Sequence, residues 1–200
     1  MSKLDKDGML IDPRVQLQRY SHIEHGALGD VHAIVVHQTD SSSAQSALNA
    51  YAGGGNGAHF LIAKDGRIIQ TASLKMRCYH IGRLIKSRCL ALKGTQCKDA
   101  GLAKAMALGW AARIKAIDQI ERQKPWPDRF PVNGDSIGIE LVGRHLDDVA
   151  YETLTSQQLD SLQWLLDQLY THFSLDGGDV FKHPEVSYKH PGEAASAAWQ

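Results

Sequence analysis

The chain has 200 residues, 43% hydrophobic and 22% charged, with 22 Lys and Arg balanced by 22 Asp and Glu. That length and composition describe one folded domain with a buried core and exclude a disordered or low-complexity chain. Formal neutrality gives no general attraction to nucleic acid or to an anionic membrane, and the basic runs at 83–88 and 112–116 are too short to supply one.

Residues 1–20 contain no apolar run of signal-peptide length, and no stretch approaches a transmembrane span. A soluble chain made in the cytoplasm is expected, reaching any other compartment by a route other than ordinary secretion. Residues 1–30, broken by Gly8, Pro13 and Gly29, read as an N-terminal arm with at most a short helix or strand. The β-branched run VHAIVVHQT at 31–39 predicts a buried strand, and AQSALNAYA at 44–52 a short helix stopped by Gly53, Gly54 and Gly55. AHFLIA and RIIQTA flank Asp65-Gly66 and predict a β-hairpin; MRCYHI at 76–81 predicts a further strand.

From 101 to 122, Leu102, Met106, Trp110, Ile114, Ile117 and Ile120 recur at three- and four-residue steps, which predicts one long amphipathic helix. Residues 124–135 hold three of the six prolines and read as a loop. SIGIELVG at 136–143 predicts a strand, and Thr155 with Gln158 a capping box that opens the last helix. The order fits a single α/β domain over 31–200, a central mixed β-sheet flanked by helices. Of the three cysteines, Cys89 and Cys97 could pair in an oxidising compartment, although idle or buried thiols are the simpler expectation, and none has CxxC spacing.

The stretch FKHPEVSYKHPGEA at 181–194 places His183 and His190 seven residues apart in a Pro/Gly loop, and His37 ends the strand VHAIVVH. Each could be an ordinary hydrogen-bonding histidine. Together they offer three neutral imidazoles, enough for a catalytic zinc with one open position. Strand alternation sets Ser136, Gly138, Glu140 and Val142 on one face of SIGIELVG, so Glu140 is a carboxylate inside an apolar strand. Such a group is either ion-paired to a helix cation or functional.

Five segments in order resemble the zinc-dependent N-acetylmuramoyl-L-alanine amidases of the type 2 family, which also includes phage lysozyme-type amidases and peptidoglycan recognition proteins. They are IVVHQT, GAHFLIAKDGRIIQ at 57–70, YHIG at 79–82, NGDSIGIELVG at 133–143 and HPEV…KHPG at 183–192. The resemblance covers most of 31–192 and implies an amidase fold with an insert at about 83–130. It implies Zn2+ held by His37, His183 and His190, the last standing where the family usually has Asp or Cys. It also implies Glu140 as general base, as in the anhydro-muropeptide branch, because Ala58 rather than tyrosine precedes His59. Lys189 or Tyr188 would assist the oxyanion, His80 would contact the substrate, and His59 would support the fold.

The reaction implied is hydrolysis of the amide between the lactyl group of N-acetylmuramic acid and L-alanine of the stem peptide. The partner is then peptidoglycan or a muropeptide, with no nucleic acid or membrane. The enzyme would be a monomer, acting on periplasmic wall after lysis or specialised export, with a possible immunity or delivery protein. Two alternatives stand beside this reading: a non-catalytic wall-binding module, and a cytoplasmic recycling enzyme confined to soluble anhydro-muropeptides. The chain has no HExxH segment for a zinc peptidase of that type.

Overall fold

The computed structural model describes residues 2–147 and 150–200. The N-terminal arm is more structured than its broken pattern suggests. It forms a ribbon of β1 (Lys3–Leu4) and β2 (Leu10–Ile11), then β3 (Val15–Leu17), and after a 3-10 turn β4 (Glu24–Ala27). β5 (Ala33–Gln38) is buried at all six positions, which is why its sequence is a continuous apolar run closed by a histidine and a glutamine. α1 (Ala44–Ala52) follows, capped by the Ser43 side chain accepting from the Ser46 N–H. The expected hairpin is β6 (Phe60–Ile62) and β7 (Ile68–Gln70), and β8 (Met76–Cys78) pairs antiparallel with β4 in a small second sheet.

The segment 101–122 is two helices, not the single long one its apolar spacing predicts. After α2 (Arg88–Lys93), α3 (Ala100–Met106) ends before Gly109, which has extended backbone and caps α4 (Trp110–Glu121). Glycine is a poor helix former, and breaking the helix there lets Leu102 and Ala105 of α3 fold onto Ile117 of α4. Met106 and Trp110, which a continuous stripe would bury, are exposed. Cys89 and Cys97 are bonded, against the simpler expectation of idle thiols, and staple α2 to the turn before α3; Cys78 is a buried thiol.

The chain closes with β9 (Ser136–Leu141), α5 (Ser156–Phe173), β10 (Val180–Lys182) and α6 (His183–Val186). The expected capping box is present: the Thr155 side chain accepts from the Gln158 N–H while the Gln158 side chain accepts from the Thr155 N–H. The main sheet runs β10-β5-β9-β6-β7-β3, parallel except at the β6–β7 hairpin, so the fold class is the expected mixed α/β sheet flanked by helices. Strand alternation divides the labour between its faces. Ile34, Val36, Ile137, Ile139, Phe60 and Ile62 pack with Leu162, Leu165, Leu166 and Leu169 of α5 to make the main core. The opposite face, covered in part by α1, carries the polar side chains. No helix among the described residues is long and apolar enough to cross a membrane.

Candidate active site

On the α1 face of the sheet, His37 of β5 sits in register with Glu140 of β9, which is in register with Leu61 of β6. Two residues back, Gly138 leaves a gap that the ring of His80 fills. A Cβ on Gly138 would stand 2.7 Å from His80 Cγ, so only glycine permits this approach. Two residues further back, Ser136 Oγ donates to Val132 O (2.7 Å) and therefore presents a lone pair to His80 Nε2–H at 3.2 Å. His80 Nδ1 is then an acceptor, and His37 Nε2–H donates to it at 3.0 Å. The network assigns the tautomer of His37 and leaves its Nδ1 a bare lone pair.

His183, at the first position of α6, is fixed in the same sense. Its Nε2–H donates to Ile81 O at 3.0 Å, so its Nδ1 is also a lone pair. Glu193 Oε1 lies 2.8 Å from that Nδ1 and 3.6 Å from His37 Nδ1. Burial pushes the His37 imidazolium down to about 4, helped by its neighbour His183 and opposed by Glu193. Burial alone would raise the Glu193 carboxyl, but its close contacts with His183 and His37 outweigh that and hold it below its usual range. Three acceptor atoms with their protons committed elsewhere thus converge within 4.8 Å of one another. Two neutral imidazoles and a carboxylate, open on one side to a cavity of about 400 Å³, are a donor set that fits a catalytic zinc.

The expected ligands His37 and His183 come together; His190 does not join them. It lies on the cavity wall with its Nδ1 accepting from the Gly192 N–H (3.1 Å) and its ring against those of His145 (4.6 Å) and Tyr151 (5.6 Å). The physical reason is the path of the chain after α6, which turns through Pro191-Gly192 and brings in Glu193, ten residues beyond His183. The negative charge that an all-histidine set would lack is therefore present. A carboxylate directly after the Pro-Gly pair was the available sequence signal.

His80, expected to touch substrate, lines the cavity but stands behind His37 as its hydrogen-bond partner. Its own imidazolium is pushed well below its ordinary range by burial and by His37, His59 and His183. His59 supports the fold as expected: its Nε2–H donates to Met76 O (2.9 Å), and its Nδ1 accepts from the Gly138 N–H (3.0 Å), pinning β9 beneath the site. Of the two oxyanion candidates, Lys189 lines the cavity beside Gly82, whereas Tyr188 turns away to pack against Trp110 (5.7 Å) and Lys86 (5.9 Å).

Glu140 is in no ion pair among the described residues, and its Oε2 is buried with no hydrogen-bond partner. Burial, then the charge of Glu193, pushes its carboxyl up to about 8, with Lys189 opposing. Facing the same cavity is Tyr51 of α1, which its sequence did not single out from the short helix around it. Its position four residues after Ala47, both buried, was the only signal.

Residues 27–195 match the model of the family described as N-acetylmuramoyl-L-alanine amidase. Among solved structures, a selenomethionine derivative of AmpD superposes with a TM-score of 0.57 at 18% identity, covering 98% of this chain and 94% of AmpD. AmpDh3 from Pseudomonas aeruginosa, in complex with anhydromuramic pentapeptide, gives 0.52 at 17% identity, covering 79% of this chain and only 52% of its own. The catalytic domain of XlyA gives 0.52 at 16% identity, with 88% and 87% covered. At these identities the likeness is one of fold. No curated protein sequence matches the chain.

Proposed function

The chain belongs to the N-acetylmuramoyl-L-alanine amidase family, and we propose that it hydrolyses the lactyl–L-alanine amide of peptidoglycan with His37, His183 and Glu193 holding zinc and Glu140 as general base. The observation that carries this reading is the pairing of three convergent acceptor atoms with an unpartnered carboxylate across one open cavity. A bound zinc would supply Lewis acidity, polarising the scissile carbonyl and making water acidic enough to act near neutral pH.

The chain's own residues do the rest. Glu140 Oε2, without a hydrogen-bond partner among the described residues, accepts the proton of the attacking water and returns it to the departing L-alanine nitrogen. A carboxyl pushed up toward 8 is suited to both halves of that transfer, and cationic Lys189 pulls it back toward the ionised form that a base needs. Lys189, on the cavity wall, is placed to offset the negative charge developing on the carbonyl oxygen. His80 and Ser136 keep His37 in the tautomer that presents Nδ1.

Ala58 before His59, together with Glu140 and its shielded Oε2, supports the glutamate-base branch. AmpDh3 holds an anhydromuramic pentapeptide, which supports a muropeptide as the ligand class. The insert with its Cys89–Cys97 bond adds surface beyond what a small soluble substrate requires and suits an oxidising compartment. Both support action on intact wall, reached by lysis or by dedicated export.

Digestion of purified sacculi and, separately, of a soluble anhydro-muramyl peptide, with products identified by mass, tests this. The expected products are stem peptides with a free L-alanine amine and intact glycan strands, from sacculi as well as from the fragment. New reducing sugar ends, or cuts within the stem without free stem peptide, would end the amidase reading. Cleavage of the fragment alone would restrict it to recycling.

A further inference from the structure

We propose that Trp110 is a glycan-binding residue, the aromatic wall of a groove that holds the sugars next to the muramic acid whose amide is cut. The inference rests on the amidase reading and extends it from one sugar to the strand. Trp110 opens α4 in the insert and is 64% exposed, although its place in the apolar spacing would bury it. An indole left in water forgoes the burial that ordinarily stabilises so large an apolar surface. Beside it runs a groove of about 360 Å³, in which Trp110 and Ile114 of α4 face Gly82, Leu84 and Tyr188. That is the size of a small-ligand cleft. The rings of Trp110 and Tyr188 stand 5.7 Å apart and nearly perpendicular, at 85°, so they form a corner. The corner is braced from behind. Lys86 Nζ lies 5.9 Å from the centre of the Tyr188 ring, and Arg113 donates from Nε (3.1 Å) and Nη2 (3.0 Å) to Leu108 O, tying the turn before Trp110 to α4.

What fills the groove follows from where it joins the catalytic cavity. Gly82 and Lys189 line both. Lys189 is the cation assigned to the carbonyl oxygen, and that carbonyl belongs to the lactyl group carried by the sugar. Glu140, which serves the departing amine, lines the cavity but not the groove. The groove therefore leaves the site on the sugar side of the scissile bond, not on the stem-peptide side. Its lining suits a saccharide. A pyranose presents a face of weakly positive C–H bonds, which stacks on the negative face of an aromatic ring. Its hydroxyl and N-acetyl oxygens need hydrogen-bond donors around that face, and Tyr188, Arg83 and Lys189 bring donors to the same lining. A single-sugar fragment ends at the cavity, so only a strand reaches the corner.

Zinc-loaded wild type and Trp110→Ala are compared on two soluble substrates that carry the same stem: the anhydro-muramyl peptide, with one sugar, and uncrosslinked glycan strands of several disaccharides. Wild type is expected to show a kcat/KM per stem about 10-fold higher on the strands, through a lower KM. Trp110→Ala is expected to lose that gain. Peptide-free strands, which no amidase can cut, are expected to bind wild type about 10-fold more tightly than Trp110→Ala by calorimetry. No gain with strand length in wild type, or the same gain in Trp110→Ala, overturns the inference and leaves the amidase reading intact. So does an equal loss on both substrates, which would make Trp110 a structural residue or give the groove to the stem peptide. A loss in kcat with KM unmoved, or equal affinity of both proteins for peptide-free strands, overturns it too. A wild type inactive on both substrates overturns the amidase reading itself, and the calorimetry then still decides whether Trp110 holds glycan.

Discussion

Replacing Glu140 with glutamine separates the group's charge from its shape, and the structure gives opposite signs for stability and turnover. In an unfolded chain the carboxyl titrates near 4.5; in β9 Glu140 is half-buried with its Oε2 shielded from solvent, and beside Glu193 it is pushed up to about 8. Below the lower value both states carry the proton and the burial has no electrostatic penalty. Between the two, the unfolded chain ionises and the folded one does not, so stability falls as pH rises and levels off above about 8. At about 1.36 kcal/mol per pH unit, that gap costs the metal-free protein about 5 kcal/mol, a large fraction of a typical domain's stability. Glutamine does not titrate and keeps that stability. Urea unfolding of chelator-treated wild type and Glu140→Gln should give matching stabilities at pH 4.5, with the variant several kcal/mol more stable at pH 8.5. Loading zinc should narrow the difference, because the cation offsets Glu193. Turnover should meanwhile fall by about 10²–10⁴-fold with zinc content unchanged. Stability profiles that run parallel over that pH range would refute the burial argument, and near-normal turnover would remove Glu140 from the chemistry.

The third ligand can be settled by metal analysis of four alanine variants. His37→Ala, His183→Ala and Glu193→Ala should each lose stoichiometric zinc, whereas His190→Ala should retain it; the reverse pattern for Glu193 and His190 would restore the all-histidine set. Gly138→Ala should weaken zinc binding by about 10–100-fold, measured by competition with a chromophoric chelator, because the new methyl displaces the His80 ring that orients His37. Unchanged affinity there would mean that the His80 contact does not matter to the metal.

Much of this was legible in the sequence because it rests on local chemistry. β5, β9, the Asp65-Gly66 hairpin and the α5 capping box are each encoded within a few consecutive residues, and each forms where its pattern lies. The failures arise where a distant contact decides. Met106 and Trp110 fit a helical period, but the break at Gly109 lets α3 and α4 bury each other's shorter faces instead. β3 is a three-residue strand whose reason for existing is the open edge of β7, far along the chain. Tyr51 was invisible as a site residue for the same reason: its helix face is apolar, and only the fold shows that this face ends at the cavity.

The third ligand position is a subtler case, and it shows what alternation can and cannot deliver. β9 presents three side chains to one face at two-residue steps: Ser136 orients His80, Gly138 makes room for it, and Glu140 reaches the cavity. Because a strand's period is fixed at two, the identity of that face was readable without knowing any partner. The loop after His183 has no such period. His190 and Glu193 are both chemically competent ligands, three residues apart, and the choice between them depends on how Pro191 and Gly192 turn the chain. The structure places the Glu193 carboxylate, and not His190, beside His37 and His183, and the consequence is electrostatic. A single negative charge 2.8 Å from His183 Nδ1 completes a cluster able to hold a cation, and the same charge raises the proton affinity of Glu140 across the cavity. Ligand choice and base strength are therefore coupled through Glu193, so a neutral replacement such as Glu193→Gln should alter both together.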